Sequence, residues 1–324
     1  MKQTGEVMTQ TRVSPGYYLM EVRCPSVADG SHPGQFVHVR CTGGLDPLLR
    51  RPLSIHRVNR QHGSFALLYR VQGKGTQLLS QKRPGDKLDL LGPLGKGFNL
   101  SLGIPTRACI HSGAKPDASL GNGFEAEPGS ARDREEAVLA AGGIGVAPLV
   151  YLAEELLALG RRVLFLVGAR SASDLVALGA LEELQEGCHD RLRVVICTDD
   201  GSVGFRGSVA VPLEETVACR RVAAVFACGP EAMLARVIEI CRQGGVPGQV
   251  SLEARMACGV GACLGCACRL HSDPGQGWPS LEPGKAVHPG TPDGSGIRTG
   301  SGKPVYAKVC REGPVFDMEE VIPE

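Results

Sequence analysis

The run AVLAAGGIGVAPLVYLAEELLALG (137–160) leaves few folds open. Its five small apolar residues, uncharged, read as a strand buried on both faces. Gly142, Gly143 and Gly145 then turn the chain within four residues, which the missing side chains permit. Leu149, Leu152, Ala153, Leu156 and Leu157 recur on one helical face, with Pro148 in the first turn and Gly160 at the C-terminal end. Strand, tight turn and helix in that order form one unit of a parallel α/β sheet. RVLFLVG (162–168), LRVVICT (192–198) and VAAVFAC (222–228) supply further strands of the same buried kind.

Upstream the pattern differs. YYLMEVR, GQFVHVR, PLSIHRV, FALLYRV and DKLDLLG, between residues 16 and 92, are short β segments separated by Gly, Pro and Asp. That rhythm predicts a small antiparallel barrel. The expected organisation is a barrel over 1–100, a linker or insertion over 101–136, an α/β domain over 137–249, and a small C-terminal domain over 250–324. Two stretches rich in Gly, Pro and Ser, 111–136 and 271–304, read as surface insertions.

Composition excludes some functions. Thirty-five Lys and Arg against 34 Asp and Glu give a formal charge of +1, with no long basic run, so no footprint for nucleic acid is visible. The longest apolar runs fall short of a bilayer-spanning helix, and the N-terminus has no signal-like stretch, so a soluble cytoplasmic protein is expected. In a reducing compartment, thirteen cysteines are metal ligands, redox groups or core residues before they are disulfides.

Several short motifs carry chemistry. The turn at 142–145 opens a helix, where free N–H groups favour a phosphate, although Pro148 stands where a dinucleotide fingerprint would place its third glycine. FACGPEAML (226–234) is a second strand-to-helix turn, with Cys228, Gly229 and Pro230 at the carboxyl end of its strand, where ligands of open α/β sheets bind. In RRPLSIHRV (50–58), Arg51 offers forked donors to pyrophosphate oxygens and Ser54 a hydroxyl to a ring nitrogen. In LLYRVQGKGTQLL (67–79), Tyr69 and Arg70 precede a turn through Gly73 and Gly75 to Thr76, a second phosphate candidate. Each piece has a plain structural alternative: a tight turn, an edge charge, a core tyrosine or a buried thiol.

ARMACGVGACLGCACRL (254–270) is more specific. Cys258-x4-Cys263-x2-Cys266, completed by Cys310 downstream, is the plant-type [2Fe–2S] spacing. The inserted loop barely affects that reading, because closure entropy grows only logarithmically with length. Gly259, Gly261, Ala262 and Gly265 let backbone N–H groups approach the sulfurs. A four-cysteine zinc site is the alternative, though such sites build each half from C-x2-C pairs. Cys268 reads as a packing residue.

In their order along the chain, Arg-Pro-Leu-Ser, Tyr-Arg, Gly-Thr, GGIG and CGP resemble the ferredoxin–NADP reductase superfamily. The resemblance implies an FAD-binding barrel and an α/β domain that brings NAD(P)H to the flavin. Arg51, Pro52, Leu53, Ser54, Leu68, Tyr69, Arg70, Gly75 and Thr76 then fall on FAD positions, and Gly142, Gly143, Gly145, Cys228, Gly229 and Pro230 on NAD positions. Leu53 replaces the aromatic residue many members carry, which points to an aliphatic branch. With LEARMACGVGACLGCACRL and VCREGPVFDMEEV (309–321), the chain is similar to electron-transfer subunits of NAD-dependent (type B) dihydroorotate dehydrogenase; Glu312 stands where the family tail has Asp.

That resemblance implies an electron relay in pyrimidine biosynthesis. A separate FMN-containing catalytic subunit, in a heterotetramer of two copies of each chain, oxidises dihydroorotate. Electrons pass through a [2Fe–2S] cluster, on Cys258, Cys263, Cys266 and Cys310, to FAD and then to NAD+. No acid or base of this chain is assigned to catalysis. Two other readings stay open: the reductase component of a different oxidoreductase complex, and a zinc-stabilised binding module without redox cofactors.

Overall fold

The computed structural model describes residues 2–103, 136–188, 190–271 and 305–322. Apart from Glu136 and His271, the two expected insertions lie outside the described residues.

Six strands close an antiparallel barrel: β1 (Lys2–Ser14), β2 (Tyr17–Arg23), β3 (Phe36–Val39), β4 (Arg51–Asn59), β5 (Ser64–Arg70) and β6 (Lys87–Leu94), in the order β1-β2-β5-β4-β3-β6. Two short helices, α1 (Pro25–Gly30) and α2 (Lys74–Leu79), join them. Alternation decides which side chains enter the barrel: Phe65, Leu67 and Tyr69 of β5 join its core, while Leu68 belongs to the core of the next domain. The sequence pattern located β2 to β6 but not β1. That thirteen-residue strand has only two buried positions, so it carries little apolar alternation.

The second domain is a sheet in the order β10-β9-β8-β7-β11-β12-β15. Its strands are β7 (Glu136–Gly142), β8 (Arg162–Ala169), β9 (Leu192–Thr198), β10 (Phe205–Arg206), β11 (Val222–Cys228), β12 (Gly248–Ser251) and β15 (Val315–Asp317). All pairs are parallel except β12 with β15. The helices are α3 (Val146–Ala158), α4 (Leu178–Gly187), α5 (Ala210–Cys219) and α6 (Glu231–Gly244). One face of the sheet packs with α3 and α4, the other with α5 and α6. α3 ends as expected, at Gly160 with φ +80°. β13 (Ala267–Leu270) and β14 (Val305–Lys308) form a separate hairpin. The C-terminal segment is therefore divided between this hairpin and the edge of the α/β sheet.

The barrel and the sheet meet where α3 crosses β4. Tyr151 of α3 is 1% exposed and enters the barrel core; its hydroxyl donates to the Ser31 carbonyl (3.0 Å) and accepts from Arg60 (3.0 Å). Arg57 pairs with Glu154 at 2.5 Å. Phe98, just beyond the barrel, meets Phe226 edge-on at 5.7 Å between ring centres, a contact worth about 1 kcal/mol beyond its area.

His56 is buried in this joint and gives its Nδ1–H to the Ala147 carbonyl (2.9 Å). Burial lowers its pKa from 6.5 to about 4. The unfolded chain therefore takes up this proton at higher pH than the folded one, so the contribution is complete above pH 6.5 and is lost as pH falls towards 4. Urea denaturation at a series of pH values should show a shallower acid decline for His56→Gln than for the parent. An identical decline would remove His56 as its source.

Candidate functional site

Two cavities adjoin where the sheet's carboxyl edge faces the barrel. The first, of about 400 Å³, lies between the starts of β4 and α2 on one side and Ile144, Pro148, Cys228 and Ser251 on the other. Arg51, Pro52, Leu53, Ser54, Leu68, Tyr69, Arg70 and Thr76 all border it. Gly75 packs against the Arg51 guanidinium, so a side chain there would displace it. Among the described residues, Arg51 donates to the Leu49 (2.8 Å) and Arg50 (3.2 Å) carbonyls of its own loop.

Two expected groups are already engaged. The Tyr69 hydroxyl oxygen accepts the Gln10 side-chain N–H (2.8 Å), and burial raises its pKa to about 12. Thr76 Oγ1 accepts the N–H groups of Gln72 (3.0 Å) and Gly73 (3.3 Å), so it closes its own turn.

The second cavity, of about 550 Å³, follows the carboxyl ends of the parallel strands and is bordered by Gly142, Gly143, Gly229 and Pro230. The glycines have separate tasks. Gly143 adopts φ +55° with open space where a Cβ would point. A Cβ on Gly145 would lie 2.1 Å from the Cys228 carbonyl oxygen, and one on Gly142 2.7 Å from Pro230 Cδ. Gly142 and Gly145 thus let the GGIG turn pack closely on the CGP turn, and Gly143 has open space at its Cβ position. Cys228, buried at this contact, borders the first cavity, its thiol pushed up to about 12 by burial.

Arg70, Gln72, Ile144 and Glu253 border both cavities. Desolvation holds the Glu253 carboxyl above its usual range.

The cysteine loop rests on the barrel beside the first cavity. Cys258 and Cys263 approach to 3.3 Å between sulfurs, while Cys266 lies near enough to Cys310 to act on it electrostatically. Cys310 Sγ accepts the Gly261 N–H (3.2 Å) and Cys258 Sγ the Cys263 N–H (3.4 Å). The N–H groups of Val260 and Cys263 lower Cys258 to about 6; burial raises Cys310 to about 12. The thiols are paired two and two. Among the described residues no three His, Cys, Asp or Glu side chains converge on a single metal position. Cys268 stands apart on β13, donating to the Ala307 carbonyl (3.5 Å). Glu312 accepts the Lys308 N–H (2.7 Å) and closes the turn that presents Cys310.

Comparison with known proteins agrees with this division. Residues 4–98 match the oxidoreductase FAD-binding domain, 139–239 the oxidoreductase NAD-binding domain, and 253–277 the iron–sulfur cluster binding domain of dihydroorotate dehydrogenase B. The electron transfer subunit of dihydroorotate dehydrogenase B (NAD(+)) from Desulforamulus reducens is 42% identical over 266 residues, 82% of this chain and 88% of that protein. Its counterpart from Geobacillus thermodenitrificans is 34% identical over 98% of this chain and 96% of its own length. The chain belongs to the family of dihydroorotate dehydrogenase B electron transfer subunits.

Members of this family carry FAD-binding, NAD-binding and iron–sulfur domains, and the chain is an electron-transfer component of an oxidoreductase. The term subunit implies a catalytic partner. The fold also resembles the solved NADH-dependent reduced ferredoxin–NADP oxidoreductase, with TM-score 0.68 and 24% identity over 98% of this chain and 90% of that one. Among the described residues no helix is long and apolar enough to cross a membrane.

Sequence motifs alone missed several cavity residues. Gly168 and Ala169 end β8, Arg170 follows it, Asp199 follows β9, and Met233 and Arg236 lie on α6, all bordering the second cavity. Their positions at strand ends were the available signal. Glu253 had none.

Gly145→Ala forces the two turns apart, at about 1–3 kcal/mol of stability. The variant should keep its flavin but show a lower urea midpoint and slower flavin bleaching by NADH. Unchanged midpoint and bleaching would contradict the role given to this contact.

Proposed function

We propose that this chain carries electrons from an FMN-containing dihydroorotate-oxidising subunit to NAD+, in a cytoplasmic heterotetramer of two copies of each chain. The arrangement of three sites supports this most. The two cavities share four residues, and Phe36, Met256 and Pro314 of the first cavity adjoin the cysteine loop. Phe36 and Met256 belong to the same apolar cluster as Cys266 and Cys310. Packed protein therefore runs without a break from loop to cavity.

The residues fit the groups. Four thiols gathered from one loop and one turn suit an iron–sulfur cluster, and Cys258, Cys263, Cys266 and Cys310 would hold it as thiolates. Arg51 and the Gly75–Thr76 turn would hold the charged part of FAD, with Ser54 and Leu53 along its ring. Gly143 and the crevice beyond it would take the dinucleotide. Flavin supplies the one chemistry common to both neighbours, exchanging hydride with nicotinamide and single electrons with iron.

The chain's own part is positional. Ile144 and Pro148 give the first cavity an apolar wall, and Cys228 presents a neutral thiol beside it. Glu253, its pKa raised, can hold a proton where the cavities meet, and reduction of a flavin by single electrons needs a proton from its surroundings. Val260 and Leu264, 52% and 77% exposed on the cysteine loop, offer a partner an apolar contact. Cysteines left as free thiols suit a reducing compartment.

Co-expression with the candidate FMN subunit tests the assignment. The two should co-purify and form NADH from dihydroorotate and NAD+. An assembled complex without orotate formation would refute the pyrimidine reading and leave the relay standing. In the isolated chain, Cys263→Ser should remove the iron–sulfur absorption and retain flavin bleaching by NADH; loss of both in a folded protein would contradict the separation of the sites.

A further inference from the structure

His38 is a buried polar group that neither nucleotide cavity nor the barrel core employs. On β3, Val37 and Val39 belong to the barrel core, so alternation turns His38 outward. There it meets the cysteine loop and is 0% exposed. A Cβ on Gly259 would lie 2.4 Å from His38 Nδ1, which puts the ring directly against the loop backbone. Gly259 itself has φ +69°, so both its conformation and the histidine require glycine.

The carbonyls of Arg50 and Cys258 lie beside the ring, yet neither ring nitrogen makes a hydrogen bond with a described residue. An unpaired buried polar atom is destabilising, and a leucine would fill the site without that cost. A donor without a hydrogen-bond partner among the described residues, set against the loop that carries Cys258, Cys263 and Cys266, has a chemically suitable acceptor in the sulfur of an iron–sulfur centre, which is anionic and gains charge on reduction.

We propose that His38 donates a ring N–H to sulfur of the iron–sulfur centre on the Cys258–Cys266 loop, and so raises that centre's reduction potential. The proposal rests on the assignment of these cysteines as ligands. An N–H dipole aimed at sulfur stabilises the reduced form more than the oxidised, because the reduced form is more negative. The N–H groups of Gly261 and Cys263 already point at Cys310 and Cys258 from within the cysteine loop. His38 acts from the barrel side. Its strand partner on β4 is Pro52 of the Arg-Pro-Leu-Ser motif, so the group that tunes one redox site is built into the wall of the other.

The test uses the full chain, purified anaerobically with flavin and iron, as parent, His38→Leu and His38→Gln. Iron content, the cluster midpoint by EPR-monitored titration and the flavin midpoint are read on each. The expected result is about two irons in all three, a more negative cluster midpoint in His38→Leu, partial return in His38→Gln through its amide N–H, and an unchanged flavin midpoint. Retained iron with an unchanged cluster midpoint in His38→Leu overturns the proposal. Loss of iron from both variants also overturns it, because His38 would then be a packing residue. Absence of iron from the parent refutes the ligand assignment instead, which separates the two failures.

Discussion

The crossing of α3 over β4 governs the geometry of the molecule. Tyr151 fills barrel core from the other domain, His56 gives its only N–H to the helix backbone, and Arg57 and Arg60 pair with Glu154 and Glu155. Such a joint is buried, hydrogen-bonded and apolar at once, so it admits little sliding. The same helix begins at the GGIG turn. Fixing α3 on the barrel therefore fixes Ile144, Ala147 and Pro148 along the first cavity. The second cavity is placed by consequence: the CGP turn packs backbone against backbone on GGIG, and the strand ends behind it follow the parallel sheet.

The cysteine loop depends on the same frame at one remove. It leaves β12, passes Met256 in the cavity wall and is backed by His38 on the barrel. Its last thiol arrives from the far side of the 271–304 segment, on a turn closed by Glu312 and continued into β15 at the sheet edge. Four sulfurs from two distant stretches are thus delivered by a loop and a turn that are each anchored elsewhere. This explains why the segment between them can be long: neither end relies on it for position.

Much of this was legible in the residues. Apolar runs bounded by turn chemistry marked β2 to β9 and β11, and the C-x4-C-x2-C spacing marked the loop, because both depend on local sequence. β1 was not legible, since a barrel strand with one face against solvent and few apolar residues has no periodic signal. β15 is three residues long and is a strand only because β12 offers an edge. The glycines of GGIG were read as a phosphate turn, yet two of them answer to the facing CGP turn, a contact between residues more than eighty positions apart. Thr76 was read as a phosphate hydroxyl, and its oxygen closes its own turn. Glu253 and His38 acquire meaning only where separate elements meet, so no spacing rule could have found them.

The central claim is that one chain passes electrons between a nicotinamide and its own iron–sulfur loop by way of flavin. Anaerobic mixing of the isolated, cofactor-loaded chain with one equivalent of NADH, followed by flavin absorbance and by freeze-quenched EPR, tests it directly. The account predicts that the flavin bleaches first and that a reduced-cluster EPR signal then rises in the same molecules. Bleached flavin with a cluster that stays oxidised, at a potential where dithionite reduces it, would contradict the account.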